Sequence, residues 1–79
     1  MNNDQITQKV IRIIREILDT EEEICPQNSL VDDYGINSLE SLKIITEIEN
    51  IFQIKMTGEM LFKLDTVQDL IDIIGQLRG

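Results

Sequence analysis

The sequence predicts an all-α fold: a small four-helix bundle with a long first loop and a short third helix. Apolar residues recur at the one-face spacing of an amphipathic helix in three separate stretches. No stretch shows the sustained alternation of apolar and polar residues that is typical of a β-strand. The chain has 79 residues, of which 42% are hydrophobic. We therefore expect residues 1–79 to form a single domain around one core.

The first predicted helix runs from about Asp4 to Asp19. Asn3 or Asp4 can cap its start, because short polar side chains accept hydrogen bonds from the free N–H groups of a first turn. Three of the seven basic residues of the chain fall on the face opposite the apolar one, and we interpret that face as solvated. The apolar face is predicted to consist of Ile6, Val10, Ile13, Ile14 and Ile17.

A long connection, residues 20–37, follows the first helix and holds the only proline of the chain. A loop of this length in a small domain either serves the function or conceals an unrecognised element. We expect Leu30, Tyr34 and Ile36 to anchor it in the core. The single cysteine, Cys25, cannot form an internal disulfide, and we expect it to be a small, at least half-buried apolar residue.

The second predicted helix begins at Ser38 and ends at about Phe52. Asn37 is a favoured N-cap residue and Glu40 follows three residues later, which is the spacing of a capping box. Gly35 permits the sharp turn that leads into the helix. The residues predicted to face the core are Ile44, Ile45, Ile48, Ile51 and Phe52.

The outer side of this helix combines a serine with exposed leucines. Ser38 lies at the first helical position, beside backbone N–H groups that have no partner within the helix. A phosphate or phosphodiester on its oxygen would be stabilised at this positive end of the helix dipole. Leu39 and Leu42 lie on the same side, with Thr46 and Glu47 nearby. The leucines either form a docking surface or pack loosely against the long loop; their proximity to Ser38 favours docking.

A short extended connector at residues 54–56 precedes the third predicted helix. Thr57 can cap this helix, which includes Leu61, Phe62 and Leu64. Gly58 within it weakens the helical tendency.

The last predicted helix opens at Asp65 or Thr66. Asp69 lies three residues after Thr66, so a capping box is predicted there as well. The apolar stripe of this helix consists of Val67, Leu70, Ile71, Ile74 and Leu77.

The chain is strongly acidic, with 15 acidic and 7 basic residues and a formal net charge of -8. Such a surface repels nucleic acid and anionic membranes, and it favours partners with basic patches. No apolar run approaches the roughly 20 residues of a membrane-spanning helix. The first ten residues lack the pattern of a signal peptide. We therefore expect a cytoplasmic protein, with a monomer as the default state.

The residue types also limit the chemistry that the chain can perform. It contains no histidine, and the sequence around Ser38 lacks the G-x-S-x-G motif of a nucleophilic serine. We therefore expect the protein not to be an enzyme. Asp32 and Asp33 could bind a divalent cation weakly, but solvated loop acids are the favoured interpretation. No Cys/His spacing indicates a metal site.

The segment "SLVDDYGINSLESLKIITEIENIF" resembles the attachment segment of the acyl carrier and peptidyl carrier protein family. In that family a leucine, an acidic pair, a glycine and a D-S-L triplet precede the recognition helix. The resemblance extends over essentially the whole chain, because the order of the helices and the long loop also match. It implies a single carrier domain that presents a cargo and performs no chemistry itself.

The resemblance assigns roles to particular residues. Ser38, flanked by Asn37 and Leu39, matches the serine that receives 4'-phosphopantetheine from coenzyme A through a phosphopantetheinyl transferase. The thiol of that group carries an acyl or aminoacyl group as a thioester to loading and condensing enzymes with basic docking patches. An acyl chain could tuck into the neighbourhood of Ile45, Ile48, Leu61 and Phe62. Partners would recognise the face formed by Glu40, Leu42, Lys43, Thr46 and Glu47.

Two positions depart from the family pattern. Asn37 stands where the family usually has aspartate, and Lys43 lies on a recognition face that is acidic in typical fatty-acid carriers. Both indicate a dedicated carrier with a specialised set of partners. Two other functions remain open from the residues alone. One is an unmodified acidic helical adaptor that binds a single protein partner, and the other is a small regulator phosphorylated on Ser38 by a kinase.

Overall fold

The computed structural model describes residues 3–78, with side chains from Asp4 onward. The described part contains four α-helices, and the all-α fold predicted from the sequence is confirmed. An isolated antiparallel bridge between Ser29 and Thr66 is the one β-type pairing among these residues. The helices are α1 (Asn3–Leu18), α2 (Ser38–Phe52), α3 (Gly58–Phe62) and α4 (Val67–Arg78).

Helix α1 is the central packing element and contacts both α2 and α4. It begins one residue earlier than predicted, so Asp4 lies in its first turn and does not cap it. The side chain of Asn3, the other predicted cap, lies outside the described part. A carboxylate in the first turn still complements the positive end of the helix dipole.

The core is built mainly from isoleucine. All five predicted apolar positions of α1 pack into it or against it, as do those of α4, where Leu77 is half-buried. In α2 the prediction is wrong for Ile51, which is 41% exposed at the edge of the α1–α2 groove. Ile24 in the α1–α2 connection and Met56 in the α2–α3 connection are buried although the periodic pattern did not include them. The largest fully buried side chains are Phe52, Ile6, Ile14, Ile44, Ile48, Leu70 and Ile74.

The predicted caps of the last two helices are present. The Thr57 hydroxyl accepts a hydrogen bond from the Met60 N–H at 3.2 Å, which fixes the start of α3. At α4, the Thr66 hydroxyl accepts from the Asp69 N–H and the Asp69 carboxylate accepts from the Thr66 N–H, both at 3.0 Å. This reciprocal pair is the predicted second capping box. The capping box explains why α4 starts at Val67, directly after Thr66.

The long loop between α1 and α2 is held to the start of α4 by hydrogen bonds. Ser29 is 7% exposed, and its hydroxyl donates to the Asp65 carboxylate at 2.8 Å while accepting from the Asp32 N–H at 3.0 Å. The backbone hydrogen bonds between the two segments are Leu30 N–H to Asp65 O (2.8 Å), Val67 N–H to Asn28 O (3.2 Å) and Gln68 N–H to Pro26 O (2.8 Å). The loop therefore has a defined path without a helix of its own.

Apolar side chains anchor the same loop from the inside. Leu30 and Ile36 are buried and Tyr34 is half-buried, as predicted. The Tyr34 hydroxyl accepts a hydrogen bond from the Cys25 N–H at 2.7 Å. The Cys25 side chain itself is exposed, so the expectation that it is at least half-buried is wrong.

Helix α3 is a single turn with no fully buried residue. Leu61 and Leu64 pack partly against the core, whereas Phe62 is 93% exposed. No helix among residues 3–78 is both long enough and apolar enough to cross a membrane.

Candidate functional site

Ser38 is exposed and is the first residue of α2. The turn before it is fixed by Gly35, whose φ of +63° lies in the left-handed region that glycine adopts without strain. Ile36, two residues before the serine, is 2% exposed and anchors the chain in the core. The buried Ile36 and the tight turn at Gly35 therefore position the exposed Ser38 at the N-terminus of α2.

The capping box predicted at this helix is present in full. The Glu40 N–H donates to the Asn37 side-chain oxygen at 2.8 Å, and the Asn37 N–H donates to the Glu40 carboxylate at 3.0 Å. Helix geometry leaves the N–H groups of Ser38 and Leu39 without an intrahelical carbonyl. They lie at the positive end of a 15-residue helix. This arrangement suits an anionic group on the Ser38 oxygen.

The residues around Ser38 fit a phosphodiester. Ser38 is an exposed residue, and free N–H donors are close to its oxygen in sequence. Asn37 itself is a neutral amide and adds no negative charge beside an anion, whereas the Glu40 carboxylate of the same capping box accepts the Asn37 N–H. The arrangement can therefore hold the phosphate end of a covalently attached group.

A cavity of about 550 Å³ begins at Ser38 and extends between α2, α3 and the long loop. Asn37, Ser41 and Asp65 are the other polar residues of its lining. The family resemblance implied an apolar site near Ile45, Ile48, Leu61 and Phe62. Only Ile45 and Leu61 line the cavity, because Ile48 is fully buried behind it and Phe62 points into solvent. The apolar walls also include Leu30, Ile36, Leu64 and Leu70.

The residues predicted to recognise partners lie on the outside of α2. Leu39 and Leu42 are 62% and 61% exposed, and Leu42 also lines the cavity beside Leu30 and Val31 of the long loop. Lys43, Thr46 and Glu47 are exposed as well. The Thr46 hydroxyl donates to the Leu42 carbonyl at 2.9 Å.

Glu40 differs from these residues because it is only partly exposed and its carboxylate is used by the capping box. Val31, which is 62% exposed at the rim of the cavity, was not predicted as a site residue. Its neighbour Leu30 was predicted to turn inward, and that inward turn leaves Val31 facing the rim.

The acidic pair of the loop has a structural role. The Asp33 carboxylate accepts a hydrogen bond from the Ser29 N–H at 2.6 Å, and the Asp32 N–H donates to the Ser29 hydroxyl. Within residues 4–78, no three side chains of the Asp, Glu, Cys or His type come together as a metal-binding group. The pair therefore shapes the turn that leads toward Ser38.

Residues 8–74 match the family model described as "Phosphopantetheine attachment site". The acyl carrier protein of Thermosynechococcus vestitus is 35% identical over 75 residues, covering 94% of this chain and 93% of the relative. The acyl carrier protein of Chlorobium phaeobacteroides is 36% identical over 75 residues, covering 94% of this chain and 96% of the relative.

Solved structures give the same picture. A protein from Mycobacterium tuberculosis described as an acyl carrier protein superposes with a TM-score of 0.87 at 30% identity, covering 90% of this chain and 96% of that one. The acyl carrier protein of Thermotoga maritima superposes with a TM-score of 0.82, covering 98% of this chain and 91% of that one. At 23% identity, the second likeness speaks for the fold alone.

Proposed function

The chain belongs to the acyl carrier protein family and carries covalently attached 4'-phosphopantetheine; from this premise we propose that Ser38 is the attachment residue and that the cargo is an acyl group with an apolar chain. Members of this family are carriers and not catalysts. They interact with a phosphopantetheinyl transferase and with biosynthetic enzymes.

The observation that carries the proposal for Ser38 is a comparison of the three serines of the chain. Ser29 is buried, and its hydroxyl is hydrogen-bonded to Asp65. Ser41 is only partly exposed and faces the cavity from within the first turns of α2. Only Ser38 combines an exposed hydroxyl with the N-terminus of a capped helix. Ser38 is therefore the most accessible of the three serines for a transferase.

Several groups of this chain would hold the phosphate end of the attached group. The Ser38 oxygen would form the ester bond, and the N–H groups of Ser38 and Leu39 would donate toward the phosphate oxygens. Asn37 would keep the helix start in place through its bond with Glu40. The group supplies a terminal thiol, which carries an acyl group as a thioester.

The cavity beside Ser38 supports an apolar cargo. Its walls are formed mainly by leucine and isoleucine side chains. Each methylene group buried there contributes about 0.8 kcal/mol. The ammonium group of an aminoacyl cargo would lose its hydration against the same walls. We therefore favour a fatty-acid or polyketide type of pathway over nonribosomal peptide synthesis.

The attachment residue is tested by mass spectrometry. The protein is incubated with coenzyme A and a broad-specificity phosphopantetheinyl transferase, beside the Ser38→Ala and Ser41→Ala variants. We expect one 4'-phosphopantetheine per chain in the wild type and in Ser41→Ala, and none in Ser38→Ala. No mass increase in the wild type, or an increase that survives in Ser38→Ala, would refute the assignment.

The cargo class is tested by comparing loaded forms. Octanoyl and alanyl groups are attached to the pantetheinylated protein, and the melting temperature of each form is measured. The octanoyl form should melt higher than the unloaded form, whereas the alanyl form should not. Narrowing the cavity with Leu61→Trp should reduce the octanoyl effect. Equal melting temperatures for the two loaded forms would contradict an apolar cargo.

We further propose that the chain acts as a single-domain monomer in the cytoplasm. One core serves residues 3–78, and a net charge of -8 opposes self-association. The intact mass of the protein from its native host separates this function from that of an unmodified adaptor. A purely unmodified population in the host would favour the adaptor.

A further inference from the structure

The carboxylates of α2 are largely engaged within the chain. The helix carries Glu40, Glu47 and Glu49. The Glu40 carboxylate accepts the Asn37 N–H at 3.0 Å in the capping box. The Glu49 carboxylate accepts the Met56 N–H at 2.9 Å and so holds the connection after the helix. Only Glu47 is exposed with its carboxylate uncommitted among the described residues.

Lys43 is exposed on the same helix and is not neutralised. It follows Glu40 by three residues and precedes Glu47 by four, which are spacings that allow ion pairs on a helix. No ion pair joins Lys43 to a carboxylate among residues 4–78. Its ammonium group is therefore available to a partner.

Helical geometry places Lys43 near the middle of the outer face. At about 100° per residue, Leu39, Lys43 and Thr46 fall within an arc of about 60° that is centred opposite the buried Ile48. Glu47 of α2 and Glu16 of α1 line the same groove as Lys43, and Glu49 lies on the opposite flank. The outward arc itself therefore presents an apolar side chain, a hydroxyl and one positive charge, and the carboxylates that accompany Lys43 lie at its groove edge.

An enzyme interface that is centred on Ser38 extends to Lys43. Lys43 is five residues further along the helix, a rise of about 7.5 Å, and is rotated by about 140° around an axis whose helix is about 10–12 Å wide, so the two side chains are about 12–14 Å apart. A standard interface buries about 800 Å² on each partner, which corresponds to a disc of roughly 16 Å radius. Lys43 therefore lies inside the footprint of such an interface.

Given the proposed role of Ser38, on which this inference rests, we propose that partner enzymes contact α2 through an apolar patch that carries a carboxylate opposite Lys43. The apolar part would pack on Leu39 and Leu42, which are both more than 60% exposed. A basic patch at this point would bring like charges together, which is strongly unfavourable in a contact that excludes water. The acidic residues elsewhere on the chain steer the approach of a partner from a distance, whereas Lys43 selects among partners at contact.

The test uses the phosphopantetheinyl transferase of the native host with coenzyme A, and it measures kcat/KM for modification of Ser38. The variants are Lys43→Glu, Lys43→Gln and Lys43→Arg. Lys55→Glu is the matched control, because Lys55 is exposed beyond the far end of α2 and its replacement changes the net charge by the same amount. Circular dichroism verifies that each variant keeps the helix content of the wild type.

We expect kcat/KM to fall by about tenfold or more in Lys43→Glu and by about threefold in Lys43→Gln. Lys43→Arg and Lys55→Glu should stay within about twofold of the wild type. The loss in Lys43→Glu should shrink as NaCl is raised from about 20 mM to about 300 mM, since salt screens the charges.

A kcat/KM for Lys43→Glu that equals or exceeds the kcat/KM for Lys55→Glu would overturn the inference. Such a result would indicate that the partner surface opposite residue 43 is neutral or basic. If the wild type itself is not modified, the proposed role of Ser38 fails instead. The two failures are therefore distinguishable.

Discussion

Replacing Asn37 with alanine tests whether the capping box holds the helix that presents Ser38. The change removes the acceptor of the Glu40 N–H, a hydrogen bond of 2.8 Å. The second hydrogen bond of the box runs from the backbone N–H of residue 37 to the Glu40 carboxylate. Alanine keeps this N–H, but the side chain that fixed the position of Glu40 is gone. The core below the helix is unchanged.

The size of the effect follows from the type of contact that is lost. Removal of an N-cap side chain costs about 1 kcal/mol of the free energy of unfolding. For 79 residues, an unfolding entropy of about 2.1 cal/mol/K per residue gives about 170 cal/mol/K in total. A loss of about 1 kcal/mol therefore lowers the melting temperature by about 6 °C. Asn37→Asp keeps the cap and adds a charge that the helix dipole favours, so it should be neutral or slightly stabilising.

The assay is thermal unfolding followed by circular dichroism, with Asn50→Ala as the control. Asn50 is exposed in the last turn of the same helix, far from the N-cap, and alanine has a higher helix propensity than asparagine. The same replacement should therefore destabilise the protein at position 37 and slightly stabilise it at position 50. Equal shifts at the two positions, or a shift below about 1 °C for Asn37→Ala, would refute the capping argument.

Three further outcomes are expected. Ile48→Ala, at a position that is 0% exposed, should cost about 2–5 kcal/mol in urea unfolding. Ile51→Ala, at 41% exposure, should cost clearly less, and equal losses would contradict the burial difference. Ser29→Ala breaks the hydrogen bond to Asp65 and should lower the free energy of unfolding by about 1–2 kcal/mol. An unchanged urea midpoint would show that this bond does not contribute to stability. The melting temperature of the wild type should rise with NaCl because screening reduces the self-repulsion of a chain of charge -8. A constant value would contradict that account.

The elements that the sequence predicted well are those set by local rules. Helix α2 starts at Ser38 because Asn37 and Glu40 supply a complete cap, and both residues can be identified from spacing alone. The same rule located α4 through Thr66 and Asp69. The exposed hydroxyl of Ser38 follows directly from its place next to a cap.

The errors concern positions that depend on how elements pack together. Ile51 has the period of a core residue, but the crossing of α1 over α2 leaves it at the edge of a groove. The family resemblance placed Phe62 near the apolar interior, yet it is 93% exposed, because a helix of one turn takes its orientation from its connectors. Ile24 and Met56 are buried within connections, where no periodicity marks them. Residue spacing does not determine the angle between two helices. The burial or exposure of these four side chains therefore follows only from the three-dimensional arrangement.

The cavity beside Ser38 has one side that is held by hydrogen bonds between the long loop and the start of α4, and another side, formed by α3, that is less firmly held. Leu30 and Leu70 stand on segments that are hydrogen-bonded to each other, which holds the two side chains in a fixed relation. Leu61 stands on α3, a single turn without a fully buried residue, which places it among the least stable parts of the fold. Room for a longer guest molecule would therefore come from outward displacement of α3, while the side that bears the loop keeps its shape.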